Sequence, residues 1–153
     1  MKILIITKDN EFLLSADKNA TIVQWTVRDH QMVREFAKYF NDGITAMALS
    51  FDGVKCIVTL ANSSLKVFPL AELLAGNSVE EHLKKKRQMP HLINYGSVYN
   101  GAMFNFAISQ DSEHFFTVSS NGHLRKLSMG EKKMIRDYGQ VTKSEVSGLK
   151  LFE

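Results

Sequence analysis

The sequence holds a single cysteine, Cys56, which excludes an internal disulfide. Its place in an apolar run reads as a buried thiol in a reducing compartment. Long hydrophobic runs are missing as well. The opening MKILIITKDNEF offers at most five consecutive apolar residues before Lys8 and Asp9, too few for the hydrophobic part of a signal peptide and far too few to span a bilayer. No membrane partner is expected, and the default location is cytoplasmic, with the nucleus as the alternative. A strong charge of either sign is absent: the net charge is +3 over 153 residues. Much of it comes from one run, Lys84, Lys85, Lys86 and Arg87, which is weak support for nucleic-acid binding over the whole surface. There is no Gly-rich phosphate loop and no Ser in a GxSxG elbow. The histidines His30, His82, His91, His114 and His123 show no metal-ligand spacing. No catalytic, metal or cofactor-binding set is therefore expected, and an enzyme finds little to stand on.

What is present is a domain-sized chain, 44% hydrophobic and 23% charged, too apolar to be disordered. The stretch ITAMALSFDGVKCIVTLANSSLKVFPL, residues 44–70, holds three short apolar runs separated by two turns. Asp52 followed by Gly53 favours a tight hairpin, because both enter dihedral regions closed to most residues. Asn62, Ser63 and Ser64 separate the second run from the third, and Pro69 ends that run because it has no amide hydrogen for a ladder. This is a meander of antiparallel strands.

The pattern occurs three times in register. TKDNEFLLSADKNATIVQW (7–25), SFDGVKCIVTLANSSLKVF (50–68) and SQDSEHFFTVSSNGHLRKL (109–127) align over 19 residues without a gap. Asp9, Asp52 and Asp111 coincide, as do Asn19, Asn62 and Asn121, then Ile22, Leu65 and Leu124, and finally Trp25, Phe68 and Leu127. A hydroxyl, an Asp, an Asn and a terminal apolar residue at fixed offsets mark an internal repeat. The three Asp residues are explained as turn residues of three separate units, too far apart for paired acid and base chemistry.

A Met-led run follows each meander: QMVREF, QMPHLINY and KMIRDY. Units of four short strands joined by turns are the blades of a β-propeller. The first two copies are 43 residues apart. In that length and in Trp25 the chain resembles the WD40 repeat family, whose units end in a Trp-Asp pair. The resemblance implies an all-β fold of four-stranded antiparallel blades. The signature is partly kept: Thr26 stands at the position of the Asp, Phe68-Pro69 and Leu127-Ser128 replace the pair in the later copies, and no copy keeps the Gly-His pair at the family's position. The blades are therefore expected to depend on packing more than on polar networks. With the Met-led runs taken as opening strands, the blade units run about 1–31, 32–70 and 89–128, with the start of another at 132–153. That phase gives two complete blades, with the chain opening on a second strand at Ile3–Ile6 and closing on another at Val146–Phe152.

So few blades cannot close a ring, which needs ~4 to 8. Three explanations stay open: one piece of a longer propeller, a natural partial propeller that pairs with a copy of itself or with a partner, or a small independent sandwich. Residues 71–88 form an insertion with an expected helix at Val79–Arg87, capped by Ser78 with Glu81 in the box position. It reads as a surface helix, or as a basic docking site, Lys84, Lys85, Lys86 and Arg87, for an acidic partner. The family resemblance implies a non-catalytic scaffold for protein assembly. The alternative is an RNA- or ribonucleoprotein-associated role resting on the same four residues, although no aromatic residues interleave with them.

Overall fold

The computed structural model describes residues 2–37, 39–75, 92–99, 103–143 and 149. Within them lie three four-stranded antiparallel sheets, each built from four consecutive strands. The first holds β1 (Lys2–Ile6), β2 (Phe12–Asp17), β3 (Ile22–Thr26) and β4 (Met32–Phe36). The second holds β5 (Ile44–Leu49), β6 (Lys55–Leu60), β7 (Ser64–Pro69) and β8 (Ile93–Ser97). The third holds β9 (Met103–Ile108), β10 (His114–Ser119), β11 (His123–Ser128) and β12 (Met134–Gln140). The opening strands β1, β5 and β9 lie side by side, so the sheets fan out from them as blades of an open arc.

The phase read from the sequence is corrected by this pairing. Each Met-led strand closes its own sheet: Ile22 lies opposite Phe36, Lys66 opposite Asn94, and Lys126 opposite Arg136. Hydrogen bonds from Thr26 N–H to Gln31 O and from Ser128 N–H to Lys133 O, both 2.9 Å, close two of these connections. A short hairpin returns beside the strand it leaves at little loop-closure cost. The result is three complete sheets, with β1 as the first strand of its sheet rather than the second. The expected strand Val146–Phe152 (apart from Leu149) and the expected helix Val79–Arg87 lie outside the described residues. A five-residue helix that sequence reasoning did not place, α1 (Leu70–Leu74), follows Pro69 directly. Pro has φ fixed near the helical value and no N–H to leave unsatisfied, so it suits a helix start. Leu70 and Leu73 of α1 are buried in the core.

The turns between the first and second strands are the same in all three sheets. Thr7, Ser50 and Ser109 each donate their hydroxyl to the carboxylate of Asp9, Asp52 or Asp111. Each hydroxyl also accepts the backbone N–H five residues on, from Phe12, Lys55 or His114, at 2.9 to 3.0 Å. The same carboxylates accept N–H bonds from Glu11, Val54 and Glu113. The repeated Asp is thus a turn residue, as its spacing suggested. In the following turns the Asn residues do not take the left-handed conformation themselves. Positive φ falls on the next residue, Ala20, Ser63 and Gly122. Asn62 instead accepts the Ser64 N–H at 3.0 Å, and Asn121 accepts the Ser119 hydroxyl.

Two apolar layers fill the gaps between sheets. One joins Leu14, Ala16, Ile22 and Phe36 of the first sheet to Met47, Cys56, Val58 and Phe68 of the second. The other joins Ile57, Leu65 and Val67 of the second to Phe106, Phe115 and Leu127 of the third. Alternate residues of β6 therefore enter different layers, and Cys56 to Leu60 are all buried. This explains why that run lacks the polar alternation of a one-sided strand. Ile22, Ile57, Leu65, Phe68 and Leu127 are buried as the register requires. Leu13, Trp25, Leu49, Ile108, Phe116 and Leu124 are half-buried. Ile6, expected in the core, is 54% exposed and, among the described residues, belongs to neither apolar layer.

Candidate functional site

That face is assembled by the ladder. Leu4 lies opposite Ser15, and Ser15 opposite Val23; Ile6 lies opposite Leu13, and Leu13 opposite Trp25. Antiparallel partners share a side of the sheet, so these residues form one surface. The internal repeat supplies two further copies of it. Leu4 corresponds to Met47 and Phe106, Ile6 to Leu49 and Ile108, Leu13 to Cys56 and Phe115, and Trp25 to Phe68 and Leu127. In the second and third sheets this surface meets the preceding blade, and Met47 and Phe106 are 5% and 9% exposed. Leu4 is 62% exposed. The difference is one of neighbours, since the backbone, the register and the apolar character are the same.

The bare surface is nevertheless ordered. Trp25 donates its indole N–H to the Ser15 hydroxyl at 3.1 Å, which lays the ring across β2 and β3. The hydroxyl position recurs as Thr117 in the third sheet. There Tyr99 donates to the Thr117 carbonyl at 2.7 Å, and its oxygen lies 2.8 Å from the Thr117 hydroxyl. Arg125 stacks on the Tyr99 ring at 4.7 Å, donates to Asp137 at 2.8 Å, and reaches the Val98 carbonyl. Sequence reasoning expected packing rather than networks. The network exists but is rebuilt from Tyr99, Thr117 and Arg125, residues that no WD40 signature would single out. Tyr95 adds a second tie between sheets: its ring stands edge-on to Phe115, and its hydroxyl reaches the carbonyls of Ser128 and Glu131. Burial and the charge of Glu131 push its phenol up to about 12.

The groups with chemical potential hold structural positions. Hydrogen bonds from Ser109 and the Glu113 N–H lower the Asp111 carboxyl to about 2, and the same causes lower Asp9 and Asp52. Asp111, Glu113 and His114 bring ligand-type atoms within 4.8 Å of one another. Sequence reasoning missed this trio because the Asp had been assigned to its turn. It is exposed or half-exposed, and its Asp is already engaged by two hydrogen bonds. Cys56 is fully buried, and burial pushes its thiol well above the ordinary range. A cavity of about 350 Å³ lies between the second and third sheets, lined by Val67, Phe68, Pro69, Leu92 and Met129 and by Lys55, whose ammonium donates to the Met129 carbonyl at 3.3 Å. The candidate run Lys84, Lys85, Lys86 and Arg87 lies outside the described residues. No described helix is long and apolar enough to cross a membrane.

Three four-stranded sheets in an open arc define a partial WD40-like β-propeller. Comparison with solved structures agrees. The chain is similar to the crystal structure of the RRP9 WD40 repeats, with a TM-score of 0.71 and 14% identity, over 97% of this chain and 41% of that one. It is also similar to the β-propeller domain of Myceliophteria thermophila Cps50 (Swd1), with a TM-score of 0.73 and 18% identity, over 98% of this chain and 46% of that one. The chain thus spans less than half the length of either structure. No family model and no curated protein matches it.

Proposed function

We propose that the chain is one arc of a larger β-propeller and acts as a non-catalytic protein-interaction scaffold, or as a subunit of an assembly whose other members complete the ring. One observation carries this reading: a blade surface that is covered in the second and third sheets and bare in the first. Three blades are fewer than the ~4 to 8 of a closed propeller. Three blades in 41% and 46% of the similar chains scale to a whole of roughly seven. The partner is then a protein, either the remaining blades of a longer polypeptide or a second partial propeller. A completed ring would present rigid turns on two faces, where a ligand protein is held at little ordering cost.

The run Lys84 to Arg87 is a candidate contact for an acidic partner. RNA binding that falls steeply with salt and is lost on replacing those four residues would favour the ribonucleoprotein alternative. The test of the main reading is the mass of the tagged protein recovered from its own cells, measured by light scattering. An assembly heavier than the 17.3 kDa chain, with a protein in fixed proportion, is expected. A compact, stable 17.3 kDa monomer would overturn it.

A further inference from the structure

We propose that the bare face of the first sheet, centred on Leu4, Ile6, Leu13 and Trp25, is the seat of one further blade, and that this blade presents small and aliphatic side chains in the register of Ala46, Ala48, Ile57 and Leu65. The proposal rests on the larger-ring reading and specifies the partner's surface. Two interfaces in the molecule show what such a seat receives. The third sheet's copy of the face, with Phe106, Ile108, Phe115 and Leu127, is met by Ala46, Ala48, Ile57 and Leu65 of the second sheet. The second sheet's copy, with Met47, Leu49, Cys56 and Phe68, is met by Ile3, Ile5, Leu14 and Ile22 of the first. In both, the receiving face carries at least one aromatic ring, with sulfur from Met47 and Cys56 in the second sheet only, and the covering face carries small or branched aliphatic residues at matching repeat positions. Leu4, Ile6, Leu13 and Trp25 are a receiving set.

A second copy of the chain fits this seat poorly. Its own bare face would set bulk against bulk. The outer face of its third sheet carries Asn105, Ala107, Phe116 and Leu124 at the covering positions, with the Lys126 ammonium 5.7 Å from the Phe116 ring where the second sheet has Val67. The complementary surface is therefore another blade with the aliphatic pattern. Burying the large apolar side chains of the seat removes them from water, which is the main favourable term in such packing.

The test uses the full chain with a probe blade appended ahead of residue 2 through a flexible linker. The probe is a second copy of residues 44–97, whose covering face already seats on a receiving face in this molecule. Trp25 is the sole tryptophan, so its emission reports on the seat alone. In the appended protein Trp25 emission is expected to move to shorter wavelengths, and acrylamide quenching and thiol labelling of an Ile6→Cys variant are expected to fall. Ala48→Lys in the added copy only should reverse all three changes. If neither this probe nor one made from residues 2–37 with its own tryptophan replaced (Trp25→Phe in the added copy only) changes them, the proposal is overturned. It is also overturned if the chain without a probe shows the same changes with rising concentration and sediments as a dimer, which would make a second copy the occupant. A heavy native assembly in which Ile6→Cys still labels freely would remove this proposal alone. A native protein that is a compact 17.3 kDa monomer would remove the larger-ring reading beneath it.

Discussion

Ser50 accepts the Lys55 N–H and donates to Asp52, and Thr7 and Ser109 do the same in their own turns. Ser50 is buried, so Ser50→Ala leaves a backbone donor and a carboxylate without their partner. A loss of about 1 to 2 kcal/mol in urea denaturation is expected, while Asp29→Ala, in an exposed turn, should stay within about 0.5 kcal/mol. The carboxylates give a pH signature. Asp9, Asp52 and Asp111 are held below the ordinary unfolded value of about 3.9, because hydroxyl and backbone donors favour the charged form. Their contribution is complete above that value and disappears as pH falls through the folded values, about 2 for Asp111. Stability should therefore drop between about pH 4 and pH 2. In Ser109→Ala the Asp111 carboxyl, followed by NMR, should titrate closer to its ordinary value; an unchanged titration would show that the hydroxyl is not the cause. The coincidence of hydroxyl and Asp made these turns readable from the sequence. The left-handed positions were less so, because Ala20 and Ser63 carry no sign of the conformation that the hairpin imposes on them.

At the scale of strands, the meander of β5 to β7 follows from alternation, Asp52-Gly53 and Pro69, and its register from the repeat. Which sheet a Met-led strand joins is not written in such a pattern, because period-two alternation specifies faces and not hydrogen-bonded neighbours. Exposure of Ile6 was unreadable for a related reason: it matches Leu49 and Ile108 in chemistry and differs only in what lies across from it. Repeat-equivalent substitutions expose this difference. Phe68→Ala removes a ring that is 1% exposed and packs against Tyr39 and Phe40; it should cost about 3 to 5 kcal/mol. Met47→Ala should cost about 2 to 4 kcal/mol. Leu4→Ala, at the same repeat position on the bare face, should change stability by about 0.5 kcal/mol or less. Equal losses at Met47 and Leu4 would mean that the first sheet is covered after all.

On the scale of the whole molecule, the propeller blade and the shortfall of blades were both readable from three aligned blocks. The side on which the arc lies open was not, since it depends on the pairing phase and on burial. The most direct measurement compares thiol labelling of Leu4→Cys and Met47→Cys in the isolated chain, with Cys56, buried and raised in pKa, as the internal slow reference. An open arc predicts that Leu4→Cys reacts at close to the rate of the unfolded chain and that Met47→Cys reacts slower by a factor of about a hundred or more, through local opening. Equal protection of the two thiols in a proven monomer would contradict it, because the face carrying Leu4 would then be packed without any further blade.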